Sequence, residues 1–485
     1  MISAETFLGR RSRVAPSANV RVGPFLGGLA CLAGVGVGVL GSISPILGVG
    51  AFVGIIAVPA AVLRPKLIAY LLVVSVFAQA VRIAGVTVDR LVAPLALIAV
   101  LSHLLNAPVR LRDARPVLTV VGIYVGLAIA SFAWTVSQAG TIQGLGSLAI
   151  SGVYMAGIAV LIPTRRDLRN ALWAVGISAP LLGILYMAQF AQGVDRTKNP
   201  LGDPNLFAAF QVMAIPLILV LASSLRSPLG RVLLYMGIAV VAASVLTTLS
   251  RGGLGTLILT VLLMTVLPSR VLYRSKREKA AFFLAALIGI LVLFPFAWQP
   301  LNERFQQGFS QQDVTGGRGD LWRAAGHGYL EHPLTGLGYG AFDDVSFKLL
   351  AETPGVNLVN HVRFAVRSGE QVHNAYLESL AELGPVGLVL FLGLLGVTAR
   401  SLLRTSRRAR AAGDPHARLA ANALLVALTA FAASSLLLST ETSRSLWLVI
   451  GLSLALPAML PDASPGTLQA PLREAEIDGS PTYDW

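Results

Sequence analysis

Long apolar runs separated by short polar breaks fill the chain from residue 24 to residue 461. An α-helix needs roughly 20 apolar residues to cross a bilayer. Runs of about that length fall at 24–43, 45–63, 67–82, 90–106, 116–135, 142–162, 170–191, 205–224, 231–249, 252–268, 280–298, 376–399, 419–438 and 445–461. They predict about 14 (12–14) transmembrane helices. The range comes from the closely spaced pairs within 24–63 and 231–268, the latter parted near Ser250-Arg251. The alternation fails over one long stretch, 299–375, which is polar. The expected fold is all-α, a polytopic helical membrane protein with one large loop outside the bilayer. The expected partition is a basic N-terminus (1–22), helices 1–11 (23–298), the loop (299–375), helices 12–14 (376–461) and a tail (462–485). The tail is rich in Pro, Ser, Asp and Glu and reads as disordered.

Charge placement orients this map. Of the 38 Lys and Arg, 26 fall in segments 1–22, 64–66, 107–115, 163–169, 225–231, 269–279 and 400–418 and in the tail. The other breaks hold 12, six of them in 299–375. Basic residues collect on the cytoplasmic side, so both termini are expected inside and 299–375 outside. This bias accounts for the net charge of +14 without a nucleic-acid partner. Only 13% of residues are charged, against about 25% in soluble domains. The single cysteine, Cys31, excludes an intramolecular disulfide and a cysteine metal cluster. No small-residue cleavage site follows the basic N-terminus, so no removable signal peptide is expected.

Three outer breaks carry candidate chemistry. The first, Arg196 to Asn205, offers Arg196 and Lys198, with Asp203 set to cap a helix that has Pro204 at its first position. The second is Ser250-Arg251-Gly252-Gly253 at the head of an apolar run. The third is the loop, with Arg318 and Trp322 near its middle and His373-Asn374 at its end. Leu321, Trp322, Ala325 and Tyr329 have helical spacing and Pro333 ends that helix; Gly336 to Gly340 then turn the chain back. Asn374, Glu378 and Glu382, spaced by four, share a face of the helix that follows. Carboxylates at the head of a membrane helix are costly without partners or a wet cavity.

A helix that starts at the outer face points free N–H groups outward, and an arginine there makes an anion site. Each residue also has a plainer reading. Arg251 can be an interfacial arginine, Arg318 a solvated loop residue and His373 a helix cap. Arg196 and Lys198 can anchor the interface, and Glu441 and Arg444 can be an ion pair. Asp343-Asp344 lack a third ligand at metal-binding spacing, so no metal is expected.

Together SRGG (250–253), GRGDLW (317–322), HPLTGLGYGAF (332–342) and HNAYLESLAELGPVGL (373–388) resemble the O-antigen ligase and O-antigen polymerase superfamily over roughly residues 195–400. The resemblance implies a GT-C-like, inverting, metal-independent glycosyltransferase with no cofactor. It sits in the bacterial cytoplasmic (inner) membrane with its active site on the outer side. The implied donor is a glycan on undecaprenyl diphosphate. The implied acceptor is a hydroxyl on a glycan, a lipid or a protein. Membrane lipids complete the partners. The family's arginines and histidine fall on Arg251, Arg318 and His373: the arginines on the diphosphate, the histidine as base or acceptor positioner. Arg196, Lys198, Asn374, Glu378 and Trp322 are the expected substrate contacts. The span count departs from the twelve commoner in ligases, which leaves ligase and polymerase open. A flippase and a protein O-oligosaccharyltransferase are the alternatives. A flippase needs charge along a central cavity, and the mid-span positions here are nearly uncharged.

Overall fold

The computed structural model describes residues 45–79, 81–83, 85–109, 111, 113–194, 199–273, 275–310, 318–356 and 369–460. The expected N-terminus 1–22, the first apolar run 24–43, Arg196, Lys198 and the tail 462–485 lie outside these residues. The chain divides into two compact units, Met1–Pro59 and Ala60–Trp485. In the first, the described residues are the start of α1 (Pro45–Leu63); the second holds everything below.

Helices follow in the order the apolar runs dictate: α2 (Pro65–Phe77), α3 (Val88–Asn106), α4 (Arg115–Ala130), α5 (Gln138–Leu161), α6 (Arg165–Ala191), α7 (Pro204–Ser224), α8 (Pro228–Thr247) and α9 (Arg251–Val266). Next come the short α10 (Ser269–Leu272), α11 (Lys276–Ser310), α12 (Arg318–Glu331), α13 (Ala341–Glu352), α14 (Ala375–Ala411), α15 (Pro415–Ser434) and α16 (Arg444–Ala455). One two-stranded hairpin, β1 (Arg82–Ile83) with β2 (Val86–Thr87), joins α2 to α3.

The protein is all-α and polytopic. Among the described residues eight helices are long and apolar enough to cross a membrane, or nine if the pair bent by 115° at Arg64 counts as one broken span. Several of the 14 expected runs form shorter elements. Pro65 breaks the run after Arg64, since proline supplies no N–H to continue a helix. The run 252–268 becomes α9, 16 residues long, or roughly 24 Å at about 1.5 Å per residue.

Burial sorts the helices into layers. In α7, 89% of the apolar window is buried, against 28% around α4. So α7 is the centre, packed by α6, α8, α9 and α15, while α3 and α4 turn apolar side chains outward. A second, smaller core lies between α12, α13 and the start of α14, built on Leu321, Leu337, Phe342, Leu349 and Ala381.

Long-range pairs tie the connections into two groups. In one, Lys66 pairs with Asp167 at 2.9 Å, Arg165 with Asp414 at 2.5 Å, and Arg408 with Asp113. In the other, the Trp134 indole donates to the Thr335 carbonyl at 3.1 Å and the Val136 N–H to the Leu337 carbonyl at 2.9 Å. The His373 N–H donates to Ser439 Oγ at 3.1 Å, and Arg444 pairs with Asp89 at 2.8 Å. His373 and Arg444 belong to this second group of connections.

Candidate functional site

Three capped helix starts build the site. Asp203 Oδ1 accepts the N–H of Asn205 and of Leu206 at 2.8 and 2.9 Å, so α7 begins where its Asp-Pro pair dictates. Ser250 Oγ accepts the Gly253 N–H at 3.0 Å at the head of α9 and donates to Asn205 Oδ1 at 2.7 Å, which ties the first two starts together. A side chain at Gly253 would collide with Ala208, so the glycine lets α9 lie directly on α7. Asn374 Oδ1 accepts the N–H of Tyr376 and of Leu377, both at 3.1 Å, at the head of α14. Capping takes up its Oδ1.

Non-glycine residues with left-handed φ occur at only three described positions, Asp113, Leu249 and His373. Each directly precedes a helix cap, and two of them precede the caps of α9 and α14. For Leu249 the conformation is costly, and such strain collects at functional sites. His373, with φ 55°, is held further by its N–H on Ser439 Oγ and by the Ala375 N–H on the Ser435 and Leu438 carbonyls.

Arg318 opens α12 and shares a small cleft with Asn205, Gly252, Gly253 and Leu438. Its charge also acts on His373. Burial, and then Arg318, push the imidazole below its ordinary range, against an opposing pull from Asp203. His373 is therefore neutral near pH 7, the form a general base needs. Arg251 is half-buried at the first position of α9, and its side chain has no hydrogen bond or ion pair among the described residues. The arrangement joins a neutral imidazole, a guanidinium beside it and the start of a helix that carries a second guanidinium.

Other expected residues play different parts. Glu378 is buried near Glu441, whose carboxyl burial pushes up to about 7. Glu378 does not line the cleft that holds Arg318. Trp322 packs half-buried against the second core. Arg444 pairs with Asp89 rather than with Glu441, because its guanidinium turns toward α3 and α5.

Glu382 serves the fold. Its carboxylate accepts the N–H of Gly340 at 2.7 Å and of Phe342 at 3.1 Å, capping α13. Pro385 has no N–H for the Ala381 carbonyl, and the Leu337 N–H takes its place at 2.9 Å. Gly384, with φ 66°, makes the break. The glycine turn and the kink in α14 are thus one interlocked unit.

Sequence reasoning read Asp203 only as a cap and passed over Ser439. No local signal marks Ser439; its role comes from the packing of the α15–α16 connection on the head of α14. Among the described residues no three His, Cys, Asp or Glu side chains are grouped to hold a metal ion.

No curated protein matches the chain. Residues 236–392 match the family described as O-Antigen ligase. That stretch contains Arg251, Arg318 and His373 together with the glycine turn and the kink, and the match supports membership of the O-antigen ligase and polymerase superfamily.

Proposed function

We propose that this protein moves a saccharide chain from undecaprenyl diphosphate to an acceptor hydroxyl, with inversion and without a metal, on the outer face of the bacterial cytoplasmic membrane. The observation that carries this reading is the meeting of a neutral His373 with Arg318 at the start of α9. A cation at a helix N-terminus has the wrong sign for the helix dipole, a mismatch of about 0.3–1 kcal/mol. With no carboxylate partner for Arg251 among the described residues, an anionic ligand supplies the compensation. The membrane setting makes a lipid diphosphate the natural anion, and the arginine fork matches its oxygens.

The chemistry follows from these parts. His373 takes the proton of the acceptor hydroxyl as its oxygen attacks the anomeric carbon. The new C–O bond forms on the face opposite the diphosphate, so the configuration inverts. The bond to the diphosphate oxygen breaks and its electron pair stays on the leaving group. Arg251 and Arg318 neutralise that growing charge, a stabilisation of several kcal/mol when the donors are preorganised. The outer location rests on the charge map, with 26 of 38 Lys and Arg in the segments read as cytoplasmic.

The test is in vitro turnover of an undecaprenyl diphosphate-linked glycan by the purified protein in excess EDTA. Transfer with inverted linkage is the expected result. Activity that disappears in EDTA and returns with one particular metal contradicts the arginine–diphosphate assignment.

A further inference from the structure

A second, larger pocket opens at the segment that leads into His373. Its volume is about 790 Å³, within the range of roughly 300–1,000 Å³ that takes a small-molecule ligand. It reaches Gln371, two residues before His373, and Ser439, whose Oγ holds the His373 N–H. The β1–β2 hairpin forms another wall and presents Arg82, while Arg90 follows on the first turn of α3.

Among the described residues the charge of this pocket is uncompensated. Asp89 also lines it, but its carboxylate is taken by the Arg444 guanidinium at 2.8 and 2.9 Å. The side chains of Arg82 and Arg90 are exposed and have no hydrogen bond or ion pair among the described residues. Both count among the few arginines placed against the basic bias of the opposite face. Among the described residues no aromatic ring lines the pocket. A neutral sugar would find no stacking surface there, only hydrogen bonds that compete with water. An anionic sugar would find two guanidinium forks.

We propose that this pocket is the acceptor subsite and that Arg82 and Arg90 select an acceptor saccharide carrying an acidic group, a carboxylate or a phosphate. The acceptor role rests on glycosyl transfer at His373; the acidic-sugar site does not. The pocket reaches Gln371 and Ser439, the residue that holds the His373 N–H, whereas Arg318 and the head of α9 line the other cleft.

The probes are trigalacturonic acid, its methyl ester, glucose 6-phosphate and glucose, titrated into the full-length detergent-solubilised protein by calorimetry. Trigalacturonic acid or glucose 6-phosphate should bind and the two neutral sugars should not, the preferred acid identifying carboxylate or phosphate as the recognised group. Arg82→Gln with Arg90→Gln should weaken acid binding by roughly tenfold or more, as removal of charge-assisted bonds does. Arg82→Lys with Arg90→Lys should recover part of it. Equal binding of acid and ester, or acid binding that survives the double glutamine variant, overturns the subsite. In transfer assays the glutamine variant should raise KM for an acidic acceptor and leave donor KM unchanged; a rise in donor KM alone assigns the pocket to the donor glycan and overturns the acceptor role. His373→Ala should retain acid binding. Intact acid binding in a wild-type protein that transfers nothing would therefore sink the transferase reading and leave the binding site standing.

Discussion

Two helices on this side of the molecule begin with the same two residues and come to opposite ends. Ser250-Arg251 opens α9 and Ser443-Arg444 opens α16. Arg444 is buried; it holds Asp89 through two nitrogens and reaches Ser151 Oγ at 2.8 Å and the Ser147 carbonyl at 3.2 Å. Arg251 sits half-buried with no partner among the described residues. Both guanidinium groups oppose a helix dipole, and only one has a carboxylate to offset it. The local sequence sets where each helix starts. A residue 355 positions away decides that Arg444 is a structural pin, and the lack of such a partner among the described residues is what the proposed anionic ligand of Arg251 would make good.

The sharpest break of this comparison is Arg444→Ala. It strands the buried Asp89 carboxylate and should cost about 3–5 kcal/mol of stability, read as a lower thermal midpoint. Replacing Arg444 and Asp89 together by apolar residues should recover much of it. Arg251→Ala should do the reverse: an unchanged thermal midpoint and transfer slowed by roughly 10²–10³-fold, the usual cost of one transition-state donor. Arg251→Lys should restore only part, because the ammonium lacks the fork. Equal destabilisation by the two alanine variants would show that Arg251 is also a pin.

Arg318 differs from both, since its charge also tunes His373. With the imidazole held below its ordinary range, the acid limb of the pH–rate profile should lie below about 6.5. Arg318→Gln removes a positive neighbour, favours the imidazolium and should move that limb to higher pH. A limb that stays in place separates Arg318 from the base.

The smallest effect is expected at Asp343. Burial pushes its carboxyl up to about 6, with Asp344 adding and a hydrogen bond from Gln371 opposing. An acid raised on folding favours the folded state while protonated. That contribution is complete below about 4, the unfolded value, and is lost as pH rises through about 6. Asp343→Asn should therefore raise the thermal midpoint at pH 8 and leave it nearly unchanged at pH 4.

Much of this was legible from residue types at helix starts. Asp203-Pro204, Ser250-Arg251 and His373-Asn374 each announce a start and carry the polar group left over there. The helix through Leu321, Trp322, Ala325 and Tyr329 followed from spacing, and its stop from Pro333. Partnerships across the fold were hidden, because packing rather than local pattern chooses them. Glu382, grouped with Asn374 and Glu378 by spacing, proved to be a cap for α13. Glu378 met Glu441, and Arg444 met Asp89. Arg82 and Arg90 did leave a trace, as arginines on the side where basic residues are few, but only the hairpin brings them to one pocket.

The central claim is that His373 acts on the acceptor while Arg251 acts on the diphosphate. Donor affinity and single-turnover transfer, measured side by side for His373→Ala and Arg251→Ala, test it most directly. His373→Ala should keep donor affinity and lower the transfer rate by roughly 10²–10⁴-fold, whereas Arg251→Ala should weaken donor binding and slow transfer together. A His373→Ala protein that loses donor affinity but transfers at the wild-type rate once saturated would make His373 a diphosphate ligand and contradict the account.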